Sequence, residues 1–327
     1  MELLQNSSTI GGAQVSSVIS RKPLTSPELK PDSLWARIKE SKTSYLFVAP
    51  FAILFSIFTV FPVLLSIVLS FTYFNMLEFP TWVGWNNYIR LFLADEVFLI
   101  AVKNTLLFAV ITGPVSYFMC FIFAWFINEL QPKLRAFLTL LFYAPSISGN
   151  VYVIWQLIFS ADTYGYINAQ LLNLGIIDSP IAWLITPKYM MPIVILVTLW
   201  MSLGTSFLVF IAGLQGISRT LYEAGAIDGI KNRWQELWYL TIPAMKNYMM
   251  FGAIMSITGS FQAAGQLQAL TGPTPTDYAT WTVMQHLQDY GNVRYEMGYA
   301  SAIAVVLFLV MVGSQKLVQR LLNKVGT

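Results

Sequence analysis

Six stretches of this chain are long, apolar and almost free of charge, and they limit what it can become. They run roughly from Tyr45 to Phe74, Asn104 to Ile127, Ala136 to Ser160, Met190 to Gly213, Tyr248 to Leu267 and Met297 to Lys316. About 20 consecutive apolar residues in a helix cross a bilayer, so each stretch predicts one membrane span. With 56% hydrophobic and only 11% charged residues, and a mean hydropathy of +0.61, no soluble core could hide the apolar surface. The fold class expected is therefore all-α and polytopic, with six transmembrane helices. Pro50, Pro62, Pro114 and Pro145 lie inside the first three stretches, where neighbouring helices can pack around a kink.

Basic residues set the orientation. Of the 19 Lys and Arg, all but Arg90, Lys103, Lys188 and Arg294 fall in the amino-terminal tail, the turn at Lys133 and Arg135, the polar segment after the fourth stretch, or the carboxy-terminal tail. The positive-inside bias then puts both termini and that segment in the cytoplasm, and places the chain in the cytoplasmic membrane. Residues 1–43, rich in Ser, Thr, Pro and Lys, read as a mostly disordered cytoplasmic tail, and 44–327 as the membrane domain. The single cysteine, Cys120, excludes an intrachain disulfide and a cysteine-based metal site.

Between the fourth and fifth stretches lies a polar island, about 214–243, whose centre reads SRTLYEAGAIDGIKNRWQELWYLTIP from Ser218 to Pro243. Its charges forbid burial in lipid, while Leu221, Ala224, Ile227 and Ile230 recur at helical spacing. A short surface helix follows, broken at Gly229, with Asn232 placed to cap a second turn and Pro243 to open the next span.

This island resembles the EAA loop of the membrane subunits of binding-protein-dependent ABC importers. Glu223, Ala224, Asp228, Gly229, Ile242 and Pro243 match the motif, and Gly225 stands where a second Ala is usual. The resemblance implies a type I ABC importer permease fold in which this loop is a coupling helix seated on a cytoplasmic ATPase, with Glu223, Ala224, Gly225, Asp228, Gly229 and Pro243 as the coupling residues. TWVGWNNYIRLF from Thr81, KNTLLF from Lys103, YGYINAQLLNLG from Tyr164, AGLQGI from Ala212, GSFQ from Gly259 and TGPTPT from Thr271 resemble segments of the carbohydrate-type, maltose-transporter-like permeases. In TGPTPT, Pro273 replaces a usual Gly. By themselves, Trp82, Trp85 and Tyr88 read as an interfacial aromatic belt.

That resemblance implies further partners: a second homologous permease, two cytoplasmic ABC ATPases, an extracytoplasmic solute-binding protein, and a sugar or oligosaccharide as cargo. No nucleic acid is expected. The apolar interiors contain no Asp, Glu, Lys, Arg or His, which argues against a proton- or cation-driven carrier. The chain also has no G-x-x-x-x-G-K-[ST] phosphate loop, so ATP and Mg belong to partner subunits and this chain carries no cofactor and no enzymatic activity. Polar residues cluster in the fourth and fifth stretches, and the substrate-binding candidates are Trp200, Ser202, Thr205, Ser256, Ser260, Gln262 and Gln266. Gln262 and Gln266, four apart, are placed on one helical face. Ala263 falls at a further position the resemblance implies, but its side chain cannot hydrogen-bond. The alternatives are a membrane-embedded lipid- or glycan-modifying enzyme and an ABC permease for a non-sugar polar solute. Against the enzyme, Asp95, Glu96, Asp162 and Asp289 form no recognisable constellation, and His286, the only histidine, is read as a surface residue.

Overall fold

A computed structural model describes residues 41–149 and 151–323. The expectation for the amino-terminal tail falls almost wholly outside them. In chain order the elements are α1 (Lys42–Leu69), β1 (Thr72–Tyr73), β2 (Thr81–Trp82), α2 (Asn86–Leu93), α3 (Glu96–Asn128), α4 (Pro132–Ile147), α5 (Val151–Ile158), α6 (Tyr166–Asn173), α7 (Pro187–Trp200), α8 (Thr205–Gln215), α9 (Arg219–Ile227), α10 (Arg233–Glu236), α11 (Lys246–Phe261), α12 (Gly265–Thr271), α13 (Val283–Gln288) and α14 (Met297–Asn323). The only sheet among the described residues is the antiparallel β1–β2 pair, which sets Thr72 opposite Trp82.

Contacts divide the chain after Phe61. In the first unit, α1 is mostly apolar and buries none of its side chains. A π turn at Ser56–Val60 precedes Pro62, whose missing N–H cannot continue the regular ladder.

In the second unit, α3 packs against α7, α8 and α11, and α14 lies along α11. Four helical runs are long and apolar enough to cross a membrane: Lys42–Leu69, Glu96–Asn128, Pro187–Gln215 and Met297–Asn323. The third expected span is instead a pair, α4 and α5, bent by 82°. The fifth is divided at 262–264 into a 16-residue helix, α11, and a short α12, so neither piece reaches spanning length alone. Side chains such as Phe47, Phe58, Val110, Leu157 and Leu309, each more than half exposed, point away from the protein, as lipid-facing residues do.

The loops at the Asp95 end of α3 are held by three buried asparagines, each in a segment singled out in the sequence. Asn87 donates through Nδ2 to the carbonyls of Ser70 and Thr72, at 2.9 Å each. Asn104 donates to those of Tyr278 and Trp281, at 2.8 and 3.0 Å. Asn168, wholly buried, donates to the carbonyls of Ser160, Asp162 and Ile181 and accepts from the Ile181 N–H and the Trp183 indole N–H. An amide carries two donor hydrogens and an acceptor oxygen, so it can bridge several carbonyls and N–H groups at once. The aromatics Trp82, Trp85 and Tyr88 gather around Phe71, with ring centroids 5.0 to 5.7 Å away, while both tryptophans stay exposed.

Asn168→Ala removes all five of these hydrogen bonds and leaves several buried groups unpaired, a loss of about 2–4 kcal/mol. Thermal unfolding of the detergent-solubilised protein should show a lowered midpoint, with proteolytic cleavage first appearing between residues 160 and 183.

Candidate functional site

Three helical runs break at one level of the bundle: α4–α5 after Ile147, α7–α8 at 201–204, and α11–α12 at 262–264. Around these breaks lies a chamber of about 350 Å³, within the ~300–1,000 Å³ range of small-molecule sites. Its lining carries hydroxyls from six helices, Thr205 and Ser206 opening α8. Thr112 and Ser116 come from α3, Ser146 from α4, Tyr152 from α5, Thr198 from α7, and Ser256 and Ser260 from α11, with Ser202, Thr205 and Ser206 at the α7–α8 break. No charged side chain lines it.

Of the residues expected from sequence, Ser202, Thr205, Ser256, Ser260 and Gln266 line the chamber, and Trp200 and Gln262 do not. Trp200 turns into a separate apolar groove with Phe123, Phe142 and Leu203, its ring 5.2 Å from Trp155. The placing of Gln262 and Gln266 on one helical face fails because α11 ends at Phe261 and the chain leaves helical geometry at Ala264 (φ −138°, ψ −52°). Gln262 is exposed. Thr112, Ser116, Tyr152 and Thr198 escaped the sequence reading, although Phe108, Thr112, Ser116 and Cys120 recur every fourth residue and so form one stripe of α3.

Part of the chamber wall is tied together internally. Thr112 Oγ1 donates to the Phe108 carbonyl at 2.7 Å and lies 3.2 Å from Ser260 Oγ, and Ser256 Oγ donates to the Gly113 carbonyl at 2.8 Å. Cys120 Sγ lies 3.2 Å from the Ser202 carbonyl. The hydroxyls of Tyr117 and Thr198 are buried without a hydrogen-bond partner.

The polar island forms at the opposite end of α3. Helix α9 ends at Ile227, Gly229 turns the chain at φ +96°, and Asn232 caps α10 by accepting from the Gln235 N–H at 2.8 Å, as the sequence predicts. Gly225 is buried, and a Cβ there would stand 2.6 Å from Leu240 Cδ1, so the usual second Ala would need the Leu240 side chain to shift. On the other side of α9, Leu221, Ala224 and Ile227 are exposed, Ile227 at 88%. Arg233 pairs with Glu236 at 2.6 Å and with Glu129 at 3.4 Å, and the Trp234 ring lies tilted against Trp125 with centroids 5.4 Å apart, joining the island to the end of α3. Pro243 does not open the next span. It closes the helical run from Arg233, after a π turn at Leu237–Thr241 that absorbs its missing donor, and α11 begins at Lys246.

His286 is not a surface residue: it is 2% exposed, and its partner Asp95 comes from 191 positions away, a separation invisible to motif reading. The Trp281 indole N–H, which can only donate, faces His286 Nδ1 at 3.2 Å, so Nε2 carries the proton and donates to Asp95 Oδ2 at 2.9 Å. Asp95 also accepts from the Tyr299 hydroxyl at 2.7 Å and the Phe98 N–H at 2.9 Å. Burial pushes the imidazole below its ordinary 6.5 against the pull of Asp95. Burial alone would raise the Asp95 carboxyl, but Tyr299, Phe98 and His286 together hold it below 3.8. Both carboxylate oxygens of Asp95 and both ring nitrogens of His286 have partners inside the protein, which makes the pair a clasp between the start of α3 and α13.

Comparison with known proteins places these features in a family. Residues 121–324 match the model for the binding-protein-dependent transport system inner membrane component. The chain is 34% identical over 278 residues to the lactose transport system permease protein LacF of Rhizobium radiobacter, covering 82% of this chain and 89% of that one. It is 33% identical over 280 residues to the probable ABC transporter permease protein YesP of Bacillus subtilis (strain 168), covering 84% and 88%. Its fold is similar to a chain in the crystal structure of a bacterial ABC transporter involved in the import of the acidic polysaccharide alginate, with a TM-score of 0.72 at 23% identity over 90% of this chain and 99% of that one.

The clasp fixes the sign of a pH response. A His pKa lowered on folding means that the unfolded chain binds the extra proton first, so stability is full above pH about 6.5 and falls as the pH drops below it. The Asp95 contribution is lost only below about 3.8. Unfolding midpoints measured from pH 7.5 to 4.5 should decline below 6.5 in the wild type and change less in His286→Gln.

Proposed function

The chain belongs to the binding-protein-dependent transport system inner membrane components, a family of multi-pass permeases, and on that premise we propose that it forms part of the path by which a neutral sugar or oligosaccharide is imported. One observation carries the reading: a chamber lined by hydroxyls from six helices and, among the described residues, by no charge, placed where the helical runs break. Sugars offer hydroxyls in every direction, and Ser, Thr and Tyr can each donate and accept. The lactose permease among the relatives supports a sugar cargo.

The chain does no bond-making chemistry. A second homologous permease completes the chamber, an extracytoplasmic binding protein delivers the solute at the loop end, and two cytoplasmic ATPases bind ATP and Mg. Both termini and the island then lie on the cytoplasmic side, in keeping with the basic residues gathered there. Helix α9 offers the ATPase its exposed Leu221–Ala224–Ile227 face, with the Glu223 carboxylate, 65% exposed, beside it. ATP-driven movement of α9 passes through Arg233–Glu129 and Trp234–Trp125 into α3, whose stripe walls the chamber. The non-enzyme reading agrees with relatives that are transport permeases.

Gly229 sits at φ +96°, a backbone region closed to β-branched residues, so Gly229→Val should distort the island while leaving the spans in the membrane. In vesicles carrying the complete transporter, uptake should fall at least about tenfold, since ~1.4 kcal/mol of lost coupling is a factor of ten. A panel of labelled lactose, a neutral pentose trisaccharide and an alginate trisaccharide tests the cargo. Uptake of the acidic sugar alone, or normal uptake by Gly229→Val, would reject the reading.

A further inference from the structure

The α11–α12 break leaves the Ala263 carbonyl without a helical partner in the interior of the protein, three residues from Ser260 on one side and three from Gln266 on the other, both of which line the chamber. Its partner comes from outside the span. Thr282, at the N-cap of α13, donates its hydroxyl proton to the Ala263 carbonyl at 2.9 Å, and both residues are buried. A single hydroxyl proton fixes one acceptor at a time, and this is the shorter of its two contacts.

Thr282 is itself held from several sides. Its backbone N–H donates to Gln285 Oε1 at 2.9 Å and its Oγ1 accepts from the Gln285 N–H at 3.3 Å, a capping box closed inside the protein. The next residue, Val283, donates its N–H to Thr105 Oγ1 on α3 at 2.9 Å. One residue earlier, Trp281 has its carbonyl bound by Asn104 and its indole by His286, which Asp95 anchors. The approach is strained: Asp277 and Tyr278 adopt φ +52° and +53°, and Asn104 binds the Tyr278 carbonyl. Such a conformation persists only where the surroundings over-determine it.

We propose that Thr282 is a positioning residue for the transported solute: through the Ala263 carbonyl it fixes the offset between Ser260 and Gln266 across the break, and the His286–Asp95 clasp keeps Thr282 in place. This rests on the reading of the chamber as a sugar path. It makes the loop between α12 and α13 part of the solute site, although none of its side chains reaches the chamber lining.

The test uses the complete transporter in lipid vesicles, with the best-transported sugar of the panel above, and reads sugar moved per ATP hydrolysed. Thr282→Val should lower this ratio about fivefold, the equivalent of one lost hydrogen bond of ~1 kcal/mol, while binding-protein-stimulated ATP hydrolysis stays within about twofold. Thr282→Ser, which keeps the hydroxyl, should restore it. An unchanged ratio in Thr282→Val, or equal damage in Thr282→Ser, would overturn the proposal.

A second readout covers the case in which Thr282→Val fails to assemble. Protonating His286 at Nδ1 sets an N–H against the Trp281 indole N–H. The charged and titratable groups facing the ring are Asp95, Asp289, Arg294 and the phenols of Tyr290 and Tyr299. With equal pH on both sides of the membrane, the wild-type ratio should hold at pH 6.5, the ordinary imidazole value, and fall only at lower pH, because burial lowers the folded imidazole, and His286→Gln should flatten the profile. Parallel profiles for the two proteins would equally refute the proposal. Failure of the wild type to accumulate any panel sugar would instead strike the chamber reading, and this inference with it.

Discussion

A helix interrupted within hydrocarbon exposes carbonyls and N–H groups that lipid cannot satisfy, and each left unpaired costs several kcal/mol. The bundle interrupts its helical runs at three places around one chamber. At the α11–α12 break the response is explicit: Thr282 reaches in from a loop to the Ala263 carbonyl. On the unbroken α3, Thr112 donates back to the Phe108 carbonyl and Ser256 donates across to that of Gly113, and these two hydroxyls also line the cavity, giving it a neutral, hydrogen-bonding character.

The loop end applies the same principle with amides. Asn87, Asn104 and Asn168 each bridge two or more backbone carbonyls of the connecting segments, tying chain outside the long helices in place. Between them the Asp95–His286 clasp joins the start of α3 to α13, and Arg90 lies over Tyr299 at 4.2 Å while pairing with Glu296 at 2.6 Å. A surface built this way changes shape little when a partner arrives, which suits a platform that must pass a solute inward without itself rearranging.

Apolar run length located the membrane-crossing regions, because that signal is local and strong. Helical spacing and Gly229 likewise revealed the helix, break and cap of the island. Failures came where the chain departs from a regular helix. Gln262 and Gln266 are four apart in sequence, but the break between them cancels the geometry that spacing assumes. Trp200 sits at the last turn of α7, where a small change of direction sends a large ring into the neighbouring groove. His286 was misjudged because its partner lies 191 residues away and only the fold brings them together. The hydroxyl stripe of α3 was legible in principle, since Thr112 and Ser116 stand one turn apart in a mostly apolar helix. The three asparagines stood inside segments recognised by resemblance, yet their bonding became apparent only with the carbonyls in view.

The π turn at Leu237–Thr241 carries a consequence for the faces of the island. One additional residue in a turn sets everything after it back by about 100° around the helix axis, relative to an uninterrupted α-helix. Side chains before the turn, Arg233 and Trp234 among them, are thus out of phase with those after it. The run that meets Glu129 and Trp125 at its Arg233 end therefore presents a different side at Pro243, where the chain turns towards the next helix.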